Sequence, residues 1–354
     1  MKILVLDTIH GGEAIARHFR AAGNEVDEVD VYRGTAGIPV SVAASRRYDL
    51  IVAPVHCDPG HPLLMNAAVP VMTHHEAVRT ILGDGAPHPM VEITGKQGKT
   101  TTACALAALM PGSGVALTSR GTWLLPERRL LARQSITPAS VLDAAAWARK
   151  TGGWLIAEES LGVSGAGDLA VLTSGGDYGI AAGRKSAVAE KIRSLARCRQ
   201  VVAAHGVPRG IEGAVYAEDV VACTGTTCTY RFEGIRGAYA NPLCALPGYR
   251  IPLAAAAAAA CVLGIDPAPL AGFAALPGRM AERRAAGTYI LDNANSGTNA
   301  DGAIEAARYA RMRTGTGDVT LVIGTEAQTI CEGFPADEVS RAIREIRPAQ
   351  VVLV

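Results

Sequence analysis

The chain has 354 residues, enough for about two or three domains. Its 34 Lys plus Arg against 33 Asp plus Glu leave a formal charge of +1, so no global basic field favours nucleic acid or a membrane surface. An apolar share of 49% with 39 glycines and few aromatics suits packed α/β layers.

The longest apolar run, residues 251–263, is too short to span a bilayer and has Pro252 near its start. No signal-like segment precedes the first expected strand. The eight cysteines are scattered, with no C-x-x-C and no zinc-type spacing, and Cys223 and Cys228 are the nearest pair. Reduced thiols in a cytoplasmic protein are the expectation.

Residues 2–7, KILVLD, read as a buried strand, and 11–22 as the helix it feeds, ended by Gly23. Strands follow at 25–32, 48–55 and 69–73, with a helix over 61–68. Strands alternating with helices imply a parallel sheet. The stretch lacks a complete G-x-G-x-x-G, which argues against a nicotinamide cofactor. His10, Gly11 and Gly12 follow the first strand, where α/β sheets bind ligands; a plain polar loop is the equal alternative.

Residues 83–89 have linker composition and lead into VEITGKQGKTTTACALAALM, residues 91–110. Val91 and Ile93 end an apolar strand, Gly95 to Thr101 make a glycine turn, and a helical Ala/Leu run follows. Strand, glycine turn, Lys-Thr and helix in register form a cradle for nucleotide phosphates. Glycines let backbone N–H groups converge on an anion without a Cβ in the way. Lys99 is expected at the β- and γ-phosphates and the Thr100 hydroxyl on Mg²⁺. Thr94, Gly95, Lys96, Gln97, Gly98, Lys99, Thr100 and Thr101 are the expected nucleotide-binding residues, with ATP and Mg²⁺ as cofactors.

A short strand is expected at 115–118, then a helix over 136–153 with Thr137 as N-cap, Pro138 in its first turn and Gly152 ending it. Acids directly after the apolar strand at 154–160 lie at the same sheet edge as the phosphate loop, where a carboxylate can hold Mg²⁺. Another strand with a glycine-rich exit spans 169–180 and a helix 185–197. The stretch 198–207 closes the parallel set, short antiparallel strands occupy 213–245, and an Ala-rich helix lies within 245–265. Beyond residue 276 a helix over 300–311, a strand at 318–324, a helix over 336–346 and a last strand at 350–354 make a small α/β unit.

The loop is shorter than the general phosphate-loop pattern: T-G-x-x-G-K-T-T, Thr94 to Thr101. In this form it resembles the Mur ligase superfamily, whose peptidoglycan ligases and folylpolyglutamate synthases activate a carboxylate with ATP as an acyl phosphate. The resemblance implies a three-domain α/β architecture: a Rossmann-like substrate-binding domain at 1–88, a central P-loop ATP-binding domain at 89–275, and a C-terminal α/β domain at 276–354. Thr137-Pro138 also fits the family pattern, as does Glu158-x-Ser160, where the resemblance makes Glu158 the metal ligand and Glu159 the fallback. Lys191 stands where many members carbamylate a lysine; a surface lysine on an amphipathic helix is the even alternative. Arg279 and Asp292, in stretches similar to G-R-x-E and V-x-D-Y-A-H, are implied to serve the phosphates and the nucleotide. Asn295 takes the place of the family histidine at the nucleotide.

Departures accompany these matches. Asp177 is followed by Tyr178 instead of a metal-binding His, and the family asparagine that faces adenine has no counterpart. The opening LDTIHGGEAIARHF, VDVYRG and the compact length look most like the branch that completes the nickel corphin coenzyme F-430. That likeness implies a ligase that closes a carbon ring through an ATP-activated propionate on a small-molecule nickel tetrapyrrole. It implies no nucleic-acid or membrane partner, and a monomer or homodimer. The alternatives are an amide-forming Mur-like amino-acid ligase and, less favoured, a non-catalytic ATP-binding scaffold.

Overall fold

The computed structural model describes residues 1–294, 299–324 and 335–354. The chain divides into two compact units: Met1–Cys244 with Tyr249–Ala271, and Ala245–Gly248 with Gly272–Val354.

The first unit opens with β1 (Lys2–Leu6), α1 (Glu13–Ala21), β2 (Glu25–Val29), α2 (Val40–Ser45), β3 (Leu50–Ala53), α3 (Pro62–Met65), β4 (Val71–Thr73) and α4 (His74–Leu82). Its four strands run parallel in the order β2-β1-β3-β4. Successive side chains of β1 face opposite sides of this sheet. Ile3 and Val5 join a core with Ile15 and Phe19 of α1, while Leu4 and Leu6 join one with Ala43 and Leu63. Helix α4 starts at a capping box in which Thr73 and Glu76 exchange side-chain and backbone hydrogen bonds. The helix expected over 61–68 is the single turn of α3.

The second sheet is built from β5 (Met90–Thr94), α5 (Lys99–Ala107), β6 (Gly114–Thr118), β7 (Gly121–Leu125), β8 (Arg129–Ala132), α6 (Ser140–Thr151), β9 (Trp154–Glu158) and β10 (Leu169–Leu172). There follow β11 (Gly179–Ile180), β12 (Lys185–Ser186), α7 (Ala187–Leu195), β13 (Gln200–Ala203) and β14 (Ala214–Tyr216). The order is β14-β13-β10-β5-β9-β6-β7-β8, parallel from β14 to β6 and antiparallel beyond. Strand β5, which feeds the phosphate loop, therefore lies near the middle, flanked by β10 and β9. Val78 of α4, Val141 and Leu142 of α6, and Leu155 of β9 share one buried cluster with Ile3 of β1. This common core is why both sheets belong to the same compact unit.

Helix α6 begins later than the sequence suggests. Thr137 is not its N-cap; that position falls to Ala139, which makes no side-chain cap bond. A tighter turn precedes the helix, with the Thr137 carbonyl accepting from the Ser140 N–H at 3.0 Å, and the Thr137 hydroxyl meets Ser140 Oγ at 3.1 Å. Gly152 ends the helix in the left-handed region at φ 64.

Helix α8 (Ala217–Val220) precedes a meander of β15 (Val221–Thr224), β16 (Thr227–Phe232) and β17 (Ile235–Ala240). Cys223 and Cys228 face each other across β15 and β16 and are joined by a disulfide, which corrects the expectation of reduced thiols for this pair. Helix α9 (Pro247–Val262) buries Ala254 to Ala260, whose small side chains allow close packing.

In the second unit β18 (Ala281–Ala285) and β19 (Thr288–Asp292) form a hairpin. Helix α10 (Ala300–Thr314), β20 (Thr320–Ile323), α11 (Ala336–Ile346) and β21 (Gln350–Leu353) follow. Ala303, Ile304 and Ala307 of α10 meet Ile323, Ala342 and Ile346 in its small core. No described helix is long and apolar enough to cross a membrane.

Candidate active site

The loop between β5 and α5 is held by the end of β10. Ser174 Oγ accepts hydrogen bonds from the Lys96 and Gln97 N–H groups at 2.9 and 3.1 Å. Thr173 Oγ1 donates to the Gln97 carbonyl at 2.6 Å. Gly95 sits at φ 149, and a Cβ there would lie 2.2 Å from Thr173 Oγ1. Gly98, at φ 83, turns the chain into α5. Lys99 Nζ rests on the Gly95 carbonyl at 3.1 Å, and Thr101 is buried in the first turn.

Across the loop, Thr100 Oγ1 donates to Glu158 at 2.8 and 3.0 Å. The Ser119 hydroxyl lies 2.9 Å from the same Thr100 oxygen, and the Ser119 N–H donates to Glu158 Oε2 at 2.9 Å. Threonine hydroxyl and carboxylate together are hard oxygen donors of the kind Mg²⁺ takes. Backbone N–H groups beside two glycines form a cradle that a Cβ would fill. This donor set fits a nucleotide phosphate with its metal. Sequence reasoning missed Ser119 because it lies in the two-residue turn between β6 and β7, and it missed Ser174 because nothing in a lone serine marks a brace.

Glu159 faces elsewhere. It is fully buried beside Glu92, which accepts from the Ser164 N–H and hydroxyl at 2.8 and 2.5 Å and from Gly165 and Gly167 N–H groups. Burial, then the Glu92 charge, pushes the Glu159 carboxyl well above its ordinary range. Glu158, not Glu159, is the carboxylate that meets Thr100 and Ser119 beside the loop.

Lys191 is not a surface residue: only 1% of it is exposed. Its Nζ lies 4.6 Å from the centre of the Tyr178 ring and 3.4 Å from the phenol oxygen, and Lys96 Nζ lies 5.7 Å from the same ring. Asp177 accepts from Val188 N–H, Tyr178 N–H and Ser186 Oγ, which ties it to the start of α7.

In the second unit Arg279 is half-buried, its N–H bonded to the Leu276 carbonyl at 2.9 Å. Asp292 ends β19 and accepts from Ala294 N–H at 3.1 Å. Asn295 lies outside the described residues. Asn241 is buried and donates to the Leu270 carbonyl at 2.8 Å.

A second cluster stands at the ends of β1, β2 and β3. Asp7 accepts from the Ile9 and His10 N–H groups and from His10 Nδ1, the last at 2.7 Å. Burial alone would raise the Asp7 carboxyl, but these bonds pull it down, and the same Asp7 bond raises His10. The Tyr32 and His56 rings stack at 5.7 Å, with His10 edge-on to both.

The fold matches solved ligases over most or all of the chain. UDP-N-acetylmuramate–alanine ligase from Thermotoga maritima superposes with a TM-score of 0.53 at 15% identity, covering 100% of this chain and 85% of that one. E. coli FolC in complex with DHPP and ADP gives 0.55 at 15% identity, covering 79% and 89%. This is the fold of the Mur-type ligases.

Within that class, residues 282–354 match the C-terminal domain of coenzyme F430 synthetase CfbE. The coenzyme F(430) synthetase of Methanosarcina acetivorans is 33% identical over 415 aligned residues, covering 96% of this chain and 86% of its own length. The chain belongs to the coenzyme F430 synthetase family.

Proposed function

We propose that the protein activates a propionate of a nickel seco-corphin acid with ATP and closes it onto a carbon of the same macrocycle, forming the carbocyclic ketone of coenzyme F-430. Likeness to the synthetase over 96% of the chain carries this assignment. Lys99 and the loop N–H groups bind the nucleotide phosphates, and Thr100 and Glu158 hold Mg²⁺, which offsets charge on the transferred phosphoryl group. A propionate oxygen takes the γ-phosphoryl group and ADP leaves. The ring carbon, having lost its proton, then attacks the acyl carbon and phosphate departs. Arg279 and Asp292 complete the nucleotide site. The loop's N–H donors, now on Ser174, are the groups that turn to phosphate.

Lys191 serves as an ammonium held against Tyr178, not as a carbamate. A cation is attracted to a ring face at 4.6 Å, whereas an anion there would be repelled. A Lys191-dependent carbamate resonance in the presence of ¹³C-bicarbonate would reverse this assignment.

The deciding experiment incubates the enzyme with ATP, Mg²⁺ and the nickel seco-corphin acid. The expected product is lighter than the acid by one water, with ADP and phosphate released in step and no response to added amino acids. ADP release that requires an amino acid, with an amide as product, would instead establish the amide-forming ligase. ATP binding without any substrate-dependent ADP release would leave only the scaffold.

A further inference from the structure

We propose that Asp7, His10 and His56 form a site for a late first-row transition metal, with ring nitrogens of His10 and His56 as donors and the Asp7 carboxylate fixing His10. One ligand atom from each of the three lies within 4.8 Å of the others. They come from the loops after the adjacent strands β1 and β3, at the sheet edge where parallel α/β layers take ligands. Asp7 is fully buried and held at φ 75, a left-handed backbone rare outside glycine. Gly12 permits this, since a Cβ there would lie 1.8 Å from the Asp7 carbonyl oxygen.

The geometry orients a ligand. Asp7 Oδ2 takes the His10 Nδ1 proton at 2.7 Å, which leaves Nε2 as the lone-pair nitrogen facing away from the carboxylate. Carboxylates back metal-bound histidines in this way, setting the tautomer and raising basicity. Imidazole nitrogens suit nickel, zinc or copper better than Mg²⁺. Beside the rings lies a crevice of about 40 Å³, lined among others by His10, His56, His74, Thr137 and Ser160, with room for an ion or one water. Tyr32 remains 45% exposed while stacked on His56, so a flat apolar face adjoins the donors. No phosphoryl chemistry assigned above uses these residues.

The same donors serve two sources of metal: a free divalent ion, or the nickel at the centre of the macrocyclic acid, bound axially. The second source rests on the function proposed above; the first does not. Two titrations of the full chain, freed of metal with chelator, separate them. One adds cobalt(II) chloride and reads visible absorption and heat. The other adds nickel(II) uroporphyrin and reads the shift of its main absorption band on axial nitrogen ligation.

Binding in either titration, weakened at least tenfold in both His10→Gln and His56→Gln, is the expected result. Asp7→Asn should weaken it by about 10–100-fold while keeping both nitrogens. Cobalt-only binding assigns a resident ion, and macrocycle-only binding assigns the substrate's nickel. Equal binding by wild type and both histidine variants, or none in either titration, overturns the site. Circular dichroism on each variant excludes loss of fold as the cause. ADP release with the seco-corphin acid is scored separately, so a failed substrate assignment leaves the cobalt result standing.

Discussion

Two neighbouring glutamates, Glu158 and Glu159, differ because a strand sends successive side chains to opposite faces. Glu158 turns to Thr100 and Ser119, while Glu159 turns to the buried Glu92. Lys99→Ala and Glu158→Ala are therefore expected to lower substrate-dependent ADP release by about a hundredfold or more, since each removes charge complementarity at the transferred group. Glu159→Gln should retain turnover. It should also change the stability profile. The folded-state value of Glu159 is raised, so the unfolded chain loses this proton first as pH rises. Its contribution is full below the ordinary carboxylate range and is lost as pH climbs toward the elevated folded value, at up to about 1.4 kcal/mol per pH unit. Chemical denaturation from pH 4 to 9 should show that decline in wild type and a flatter profile in Glu159→Gln. Loss of turnover in Glu159→Gln with full activity in Glu158→Ala would exchange the two roles. The adjacency was visible in the sequence; the face each acid takes depended on the pairing of β9 with β5, which a one-residue register error inverts.

At the level of elements, the phosphate loop was legible because strand, glycines and helix all carry local signals, and its residues fall where the spacing places them. Strands β1, β3, β5, β9 and β10 were legible for the same reason, as continuous apolar runs, whereas β14 was not: residues 213–245 were expected to be antiparallel, and Ala214–Tyr216 pairs parallel with β13. Helix α4 was missed although Thr73 and Glu76 carry the capping-box spacing, and the β7–β8 hairpin was missed because its residues 121–132 mix apolar and basic side chains without clean alternation. What no local pattern reveals is contact between distant segments: Thr173 and Ser174 bracing the loop, or the three rings at His10, Tyr32 and His56. The brace has a testable consequence at Gly95. A side chain there meets both a positive-φ backbone that favours glycine, costing about 1–3 kcal/mol, and the Thr173 hydroxyl. Gly95→Ala is expected to raise the apparent KM for ATP at least tenfold with little change in melting of the whole chain. Pairing it with Thr173→Ala, which removes the obstructing hydroxyl, should recover part of that loss, and no recovery would place the defect in the backbone alone.

At the level of the whole molecule, the residues assigned to one nucleotide are divided between the two units. Lys99, Thr100 and Glu158 belong to the first, and Arg279 and Asp292 to the second. If all five serve the same phosphates, nucleotide must stabilise both units, because a ligand stabilises whatever it contacts by mass action. Hydrogen exchange can read this segment by segment, since local opening is slowed where contacts are added. With ATP analogue, Mg²⁺ and the macrocyclic acid at saturation, exchange should slow in α5 and also in the β18–β19 hairpin, Ala281 to Asp292. Arg279→Ala should cancel the protection in the hairpin while leaving that in α5. Lys99→Ala should weaken both, because it removes the binding that drives them. Protection confined to α5 in the wild-type enzyme would mean that the nucleotide is held by the first unit alone, and the roles given to Arg279 and Asp292 would fall together.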